Sequence, residues 1–247
     1  PLRVSSVRQE NNSLFYETSN GIVHLQAGRA GAELSLTAAF HGFSRKIHNF
    51  SLIGDALCPS FEGFYQSAGE IGSPCGYQSR NAISKKGTVQ GIGMAALTYP
   101  KGSLLLWCKD HRKYENQYTI DCHDGKNGLF SAGYRLENLN RPEEQLPLLF
   151  LQWYPSLQEG LEKTALSIGE AMQARTQPPA FHWCSWYYYY SEFDQKQLSE
   201  NLEAFQKEDP EKKLRYIQID AAYSSSIGDW LSPRSYWPKG IEGAVKE

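Results

Sequence analysis

Two short stretches hold the residues whose types and spacing could do chemistry. FHWCSWYYYY, residues 181–190, gathers Phe181, Trp183, Trp186 and four consecutive tyrosines around Cys184. YIQIDAAYSSSIGDW, residues 216–230, ends an apolar run in Asp220 and closes on Asp229 and Trp230. Rings gathered near one acid suit a carbohydrate, because a flat ring face packs against the C–H face of a sugar. The competing reading is a large β-sheet core, since aromatic side chains favour strands. An aromatic content of 13% favours that plainer reading when composition alone is weighed. Cys184 has no evident base partner, so it reads as an inert thiol. The six histidines show no metal-ligand spacing, and KDHRK (109–113) reads as a solvated turn.

These residues must be positioned by their surroundings, and the chain has two textures. Residues 1–155 read as β-structure. GIVHLQA (21–27) and AELSLTAAF (32–40) alternate apolar and polar residues, the period of a half-buried strand. GSLLLWCKD (102–110) and YTIDCHDG (118–125) are short runs bounded by Gly and Asp. LPLLFLQWYP (146–155) is apolar throughout, as a strand buried on both faces would be. Turn signals such as DGKNG (124–128) fall between the runs. Many short strands with polar turns predict an antiparallel β-sandwich.

From residue 156 the pattern changes to a connecting helix and linker, 156–180. Leu161, Ala165, Ile168 and Met172 recur at helical spacing, with Ser156 as N-cap and Glu159 completing a capping box. TQPPA (176–180) then stops the helix, because proline cannot continue it. Residues 181–247 alternate strand and helix: FHWCSWY, the helix SEFDQKQLSENLEAFQKE (191–208) with Leu198, Leu202 and Phe205 on one stripe, the strand LRYIQID (214–220), and the start of a helix in PKGIEGAVKE. That alternation predicts a parallel sheet. Asp220 falls at the C-terminal end of its strand, the face where α/β sheets and barrels bind ligands. Strand alternation places Trp186 and Cys184 on one face, and Trp183 and Ser185 on the other.

The bulk properties exclude several partners. A net charge of -2 over 247 residues and the absence of a basic stripe argue against nucleic acid. No apolar run approaches the ~18 residues of a membrane span. PLRVSSVRQENN lacks the apolar core of a signal peptide. Five cysteines (Cys58, Cys75, Cys108, Cys122 and Cys184) are widely spaced, form no CxxC pair and are odd in number. They fit neither a zinc site nor a disulfide framework, so a reducing, cytoplasmic setting is expected. The sequons at Asn11 and Asn49 weigh against this only slightly.

WCSWYYYY followed by QIDAAYSSSIGDWL resembles the melibiase-type α-galactosidases of glycoside hydrolase family 36. In that family the first barrel strand commonly reads WCSWY, and the second ends in an Asp-Asp pair followed shortly by GDW. The likeness covers residues 181–247. The front half fits the family's N-terminal sandwich in texture and position. FEGFYQSAGE (61–70) is similar to a family loop, usually closer to GWQSW, that reaches over the barrel. The resemblance implies a β-sandwich followed by the start of a (β/α)8 barrel that is incomplete in this chain.

The activity implied is retaining hydrolysis of terminal α-galactosides, with no metal or organic cofactor. One carboxylate attacks the anomeric carbon while a second protonates the leaving oxygen, the two groups lying about 5–5.5 Å apart. The family places these carboxylates after the fourth and sixth barrel strands, so residues 1–247 are expected to hold no catalytic residue. The chain alone is expected to be inactive, with 1–155 folding stably and 181–247 needing help to order.

The resemblance makes Asp220 an acceptor for sugar hydroxyls, and it places Ala221 where the second acid of the pair belongs. Alanine accepts no hydrogen bond, which leaves galactose specificity open. Trp186 is the candidate sugar-packing wall, and Trp183 a packing residue. Tyr65 either sits on the loop that closes the site from above or is a residue of the sandwich surface. Asp229 and Trp230 shape the loop after the second strand, with Trp230 at the pocket edge. The partner expected is a carbohydrate. Two rivals stay open: a raffinose-synthase-type galactosyltransferase, and a non-catalytic carbohydrate-binding protein that keeps Trp186 and Asp220.

Overall fold

The computed structural model describes residues 3–68, 76–122, 127–209, 211, 213–221 and 223–246. The chain separates into two compact units, Pro1–Ala174 and Arg175–Glu247. In the first unit the strands are β1 (Val4–Glu10), β2 (Ser13–Thr18), β3 (Gly21–Ala30), β4 (Glu33–His41), β5 (Ile47–Pro59), β6 (Gly63–Ala68) and β7 (Gly76–Ser79). After helix α1 (Arg80–Lys86) come β8 (Thr88–Tyr99), β9 (Gly102–Cys108), β10 (Glu115–Asp121), β11 (Asn127–Leu139), β12 (Glu144–Gln145) and β13 (Leu149–Tyr154). Helix α2 (Leu157–Met172) closes the unit.

All thirteen strands join one antiparallel sheet whose main path runs β1-β2-β3-β4-β13-β9-β8-β10-β11-β5, with β12 on β4, β6 on β8 and β7 on β6. The unit is sandwich-like because this long sheet folds over itself. Val23 and Phe40, from β3 and β4, share a core with Tyr134 and Leu136 of β11. A second core gathers Phe64, Leu97, Leu106, Tyr118, Ile120 and Phe130. The expected sandwich is therefore one continuous hydrogen-bonded sheet, because β13 bridges β4 and β9. Ten rings among this unit's described residues are buried as core, but the aromatic excess lies in residues 175–247, which hold 14 of the chain's 32 Phe, Tyr and Trp residues. β13 is less enclosed than its apolar sequence predicts, since Trp153 is exposed. It stacks partly over Tyr99, with ring centroids 5.6 Å apart. The turn DGKNG and Cys75 fall wholly or partly outside the described residues.

Helix α2 packs on the outer sheet face, where Leu157, Leu161 and Ile168 meet Leu105, Trp107, Phe150 and Tyr154. Gly160 permits this approach. A Cβ there would meet Leu105 Cδ1 at 2.7 Å. Ser156 caps the helix by accepting from Glu159 N–H at 3.2 Å. The Glu159 carboxylate, however, pairs with Lys163 at 2.6 Å, so only half of the expected capping box forms. The helix also stops before the prolines. Gln173 takes the left-handed conformation (φ 52°), and the N–H groups of Gln173 and Ala174 donate to the carbonyls of Glu170 and Gly169 at 3.1 and 2.8 Å. This is the Schellman arrangement, which satisfies two orphan carbonyls.

The second unit holds two short parallel strands, β14 (His182–Cys184) and β15 (Tyr216–Gln218), with α3 (Trp186–Tyr189) and α4 (Gln195–Glu208) between them and α5 (Gly240–Lys246) after. Asp194 and Gln197 form a full capping box at the start of α4. Phe193, Leu198 and Trp237 make the buried core, with Trp183, Tyr189, Leu202 and Tyr223 packed around it. Trp237 is fully buried and donates its indole N–H to Phe193 O at 3.1 Å. The described residues contain no closed barrel. All three residues of β15 are exposed, and the strand pairs only with β14 among the described residues.

Candidate functional site

The site is built from the ends of the two parallel strands. Their register pairs His182 with Tyr216, Trp183 with Ile217 and Cys184 with Gln218. Parallel pairing sends both chains out at the same edge, so the residues after Cys184 and after Gln218 leave side by side. Ser185 joins them. Its N–H donates to Gln218 O at 3.1 Å, and its fully buried hydroxyl accepts from Asp220 N–H at 3.0 Å. Asp220 is thereby fixed just beyond its strand, as the sequence predicts.

The Asp220 carboxylate is exposed and half engaged. Oδ2 accepts from Gln218 Nε2 at 2.8 Å, and the Cys184 thiol lies 3.9 Å from the same oxygen. Oδ1 has no hydrogen-bond partner among the described residues and remains free to accept from a ligand. Cys184 is thus next to a carboxylate, where the sequence showed no basic neighbour.

Trp186 corrects the strand arithmetic. β14 ends at Cys184, and Ser185 already has helical dihedrals (φ −65°, ψ −29°). Trp186 opens the single turn of α3, so the two-residue alternation that paired it with Cys184 does not reach it. It still lies at the strand ends that carry Asp220. Its ring is 38% exposed and meets Tyr190 edge-on, with centroids 5.5 Å apart. Tyr190 itself takes a positive φ (φ 50°, ψ −126°), a sparsely populated backbone that costs a non-glycine residue about 1–3 kcal/mol. Trp183 packs as expected, within 5.5–6.3 Å of the rings of Phe205, Phe193 and Tyr189.

The loop after β15 is held by Asp229, whose Oδ2 accepts from Ser226 Oγ at 2.9 Å and Ser225 Oγ at 3.4 Å. Asp229 therefore shapes the loop rather than meeting a ligand. Trp230 is half-exposed on it, 6.5 Å from the ring of Tyr223. Ala221 follows Asp220 directly, and the described neighbours supply no second carboxylate there.

Tyr65 is not on a loop. It lies in β6, opposite Ala96 of β8 and Tyr77 of β7, and packs against the core of Ala96, Leu105, Trp107, Phe150 and Tyr154. Phe64 and Gln66, two apart and both buried, give GFYQSA the period of the strand β6. Residues 69–75 lie outside the described set. The residues missed by the sequence are Ser185 and Gln218. Both are polar neighbours of Asp220, and only the strand register shows that they hold it. Among the described residues no cluster of three metal-ligating side chains occurs, and no helix is long and apolar enough to cross a membrane.

No family model matches this sequence. Solved structures do resemble it. An alpha-galactosidase from Lactobacillus brevis shares 12% sequence identity at a TM-score of 0.57, over 100% of this chain and 40% of that one. A Flavobacterium johnsoniae family 31 dextranase, complexed with isomaltotriose, shares 11% identity at a TM-score of 0.31, over 98% of this chain and 29% of that one. The weaker of these carries no structural argument. The chain has a glycoside hydrolase-like fold, and it spans 40% of the alpha-galactosidase it matches.

Proposed function

We propose that this chain is the N-terminal portion of an α-galactosidase-like retaining glycoside hydrolase of the family 36 type. The observation that carries the reading is the Asp220 carboxylate, held just beyond β15 at the strand ends from which Trp186 also leaves, with Oδ1 unengaged among the described residues. The fold likeness along the whole chain to an alpha-galactosidase supports it. In this reading β14 and β15 are the first two strands of a (β/α)8 barrel whose remainder lies beyond residue 247.

The chemistry of the site is recognition. Asp220 accepts a hydrogen bond from a hydroxyl of the terminal sugar, a charged bond worth about 1.5–3 kcal/mol. Gln218 and Ser185 hold the carboxylate in place, so little ordering is spent when the sugar arrives. Trp186 offers an exposed face to the apolar side of the ring, and Trp230 stands on the adjoining loop. In this reading the nucleophile and the acid/base are carboxylates of later barrel strands, and Asp220 serves recognition. The double displacement needs both carboxylates.

The test uses protein carrying the sequence that follows residue 247, incubated with an aryl α-galactoside and followed by proton NMR. Initial release of α-galactose, meaning net retention, is expected. Inverted product, or hydrolysis by the purified 247-residue chain alone, refutes the reading. Transfer to an acceptor sugar without hydrolysis identifies a transferase instead.

A further inference from the structure

The first unit holds a polar cleft that the Asp220 site does not use. Its volume is about 460 Å³, and it is lined by Ile92 and Gly93 of β8, by His111–Tyr114 before β10, by Glu115 and Asn116, and by Arg135 and Glu137 of β11. Ligand pockets of roughly 300–1,000 Å³ are the common range, and a cleft of this size accommodates one or two sugar rings.

The charges on its walls decide the kind of ligand. Arg112 is bound through two nitrogens to Asp110, at 3.0 and 2.9 Å. Lys113 pairs with the buried Glu144, and Arg135 Nη1 lies 3.2 Å from Glu115 Oε1. Each lining cation is thus already matched by a carboxylate. Glu137 adds a further carboxylate with no ion-pair or hydrogen-bond partner among the described residues. An anion would therefore meet compensated cations and one uncompensated negative charge. A neutral polyhydroxyl ligand suits the walls better. The Arg112 guanidinium keeps donors beyond the Nε and Nη2 spent on Asp110, while Glu137 accepts.

Backbone geometry at Glu137 points the same way. Its φ is 45°, left-handed for a residue with a side chain. It sits where the β11–β5 register slips between Arg135 and Leu139. Bulges of this kind re-aim a side chain, and strained residues cluster at binding sites. Opposite the strained strand, Asn116 fixes the cleft floor, accepting from Gly93 N–H at 3.1 Å and donating to Gly93 O at 2.6 Å. Nε2 of His111, a residue of the cleft wall, is enclosed and has no hydrogen-bond partner among the described residues.

We infer that this cleft is a second carbohydrate-binding site, for a neutral mono- or disaccharide unit, with Glu137 as its principal acceptor. It is separate from the Asp220 site and stands whether or not that site takes galactose. The experiment titrates melibiose, and in parallel maltose, into the 247-residue chain carrying Asp220→Ala, which disables the other site. At least one of the two sugars is expected to bind. Adding Glu137→Gly should weaken that binding at least tenfold without lowering Tm, because glycine accepts the left-handed backbone. Glu137→Gln, which keeps the side-chain shape, should weaken it with Tm unchanged. Binding of neither sugar in the Asp220→Ala background, or affinities unaltered by both Glu137 substitutions, overturns the inference. So does binding of citrate in place of both sugars. Failure of the Asp220 reading would show separately, as equal sugar binding with and without Asp220→Ala.

Discussion

Ser185→Ala tests how the candidate site is held. Ser185 is fully buried, and its dihedrals, φ −65° and ψ −29°, are ones that alanine adopts freely. It stands at the N-cap position of α3 but makes no side-chain capping bond, so no helix cap is lost. What disappears is the acceptor for Asp220 N–H at 3.0 Å. A net hydrogen bond contributes about 0.5–1.5 kcal/mol, and an unsatisfied buried donor costs about 1–3 kcal/mol. Asp220 is exposed, so water takes over part of the lost bond and the lower end applies, roughly 1 kcal/mol. That corresponds to about fivefold faster opening. Native-state hydrogen exchange read by NMR should show the Asp220 amide exchanging about fivefold faster, while amides of β9 in the first unit stay unchanged. Galactose affinity should fall by a comparable factor, since the carboxylate rides on that backbone. An unchanged Asp220 exchange rate would refute the tie between the strands.

Three further outcomes follow from other parts of the structure. Ala221→Asp restores a second acceptor beside Asp220, and calorimetry should show tighter galactose binding; no gain would mean the pocket is shaped for another sugar. Trp237→Ala empties the centre of the small second core and removes a buried indole hydrogen bond, at a cost of about 3–5 kcal/mol. Near-ultraviolet circular dichroism on heating should then show the second unit melting early and the first unit unaffected. The Asp110 carboxylate is held down to about 2, first by the side-chain hydrogen bonds from Arg112 and then by the Arg112 backbone N–H. Its folded value is depressed, so its contribution to stability is present above the ordinary aspartate value of about 3.9 and is lost as pH falls through about 2. Carboxyl NMR titration should move Asp110 up toward the ordinary range in Arg112→Ala, part of the depression staying because the backbone N–H of residue 112 still donates at 3.0 Å; an unaltered midpoint would contradict the pairing.

The strands of the first unit were legible because each carries its own alternating or continuous apolar pattern. GIVHLQA and GSLLLWC fall within strands, and so does AELSLTAAF but for Ala32. Their joining into one sheet was not, because pairing β13 between β4 and β9 depends on contacts far apart in sequence. Asp220 was legible as a strand-end acid. Trp186 was misassigned to a strand because a run of aromatic residues suits strand and helix alike, and only the Ser185 hydrogen bonds show where β14 stops. Of the two placements open to Tyr65 the structure takes the sandwich one: the loop resemblance of FEGFYQSAGE competes with the strand period of Phe64 and Gln66, two apart and both buried in β6. Helix α2 was found by period but its end was not, since a left-handed Gln173 leaves no glycine signal.

The account rests on Asp220 as the hydroxyl acceptor of an α-galactoside site. The most direct measurement is kcat/KM of protein carrying the sequence beyond residue 247, on aryl α-galactoside and aryl α-glucoside, with Asp220 intact and as Asp220→Asn. The account predicts hydrolysis of the galactoside over the glucoside, and a fall of at least tenfold on the galactoside in Asp220→Asn, the loss of one charged hydrogen bond of about 1.5–3 kcal/mol. Galactoside hydrolysis unaltered by Asp220→Asn, or no hydrolysis of any α-galactoside, would contradict it.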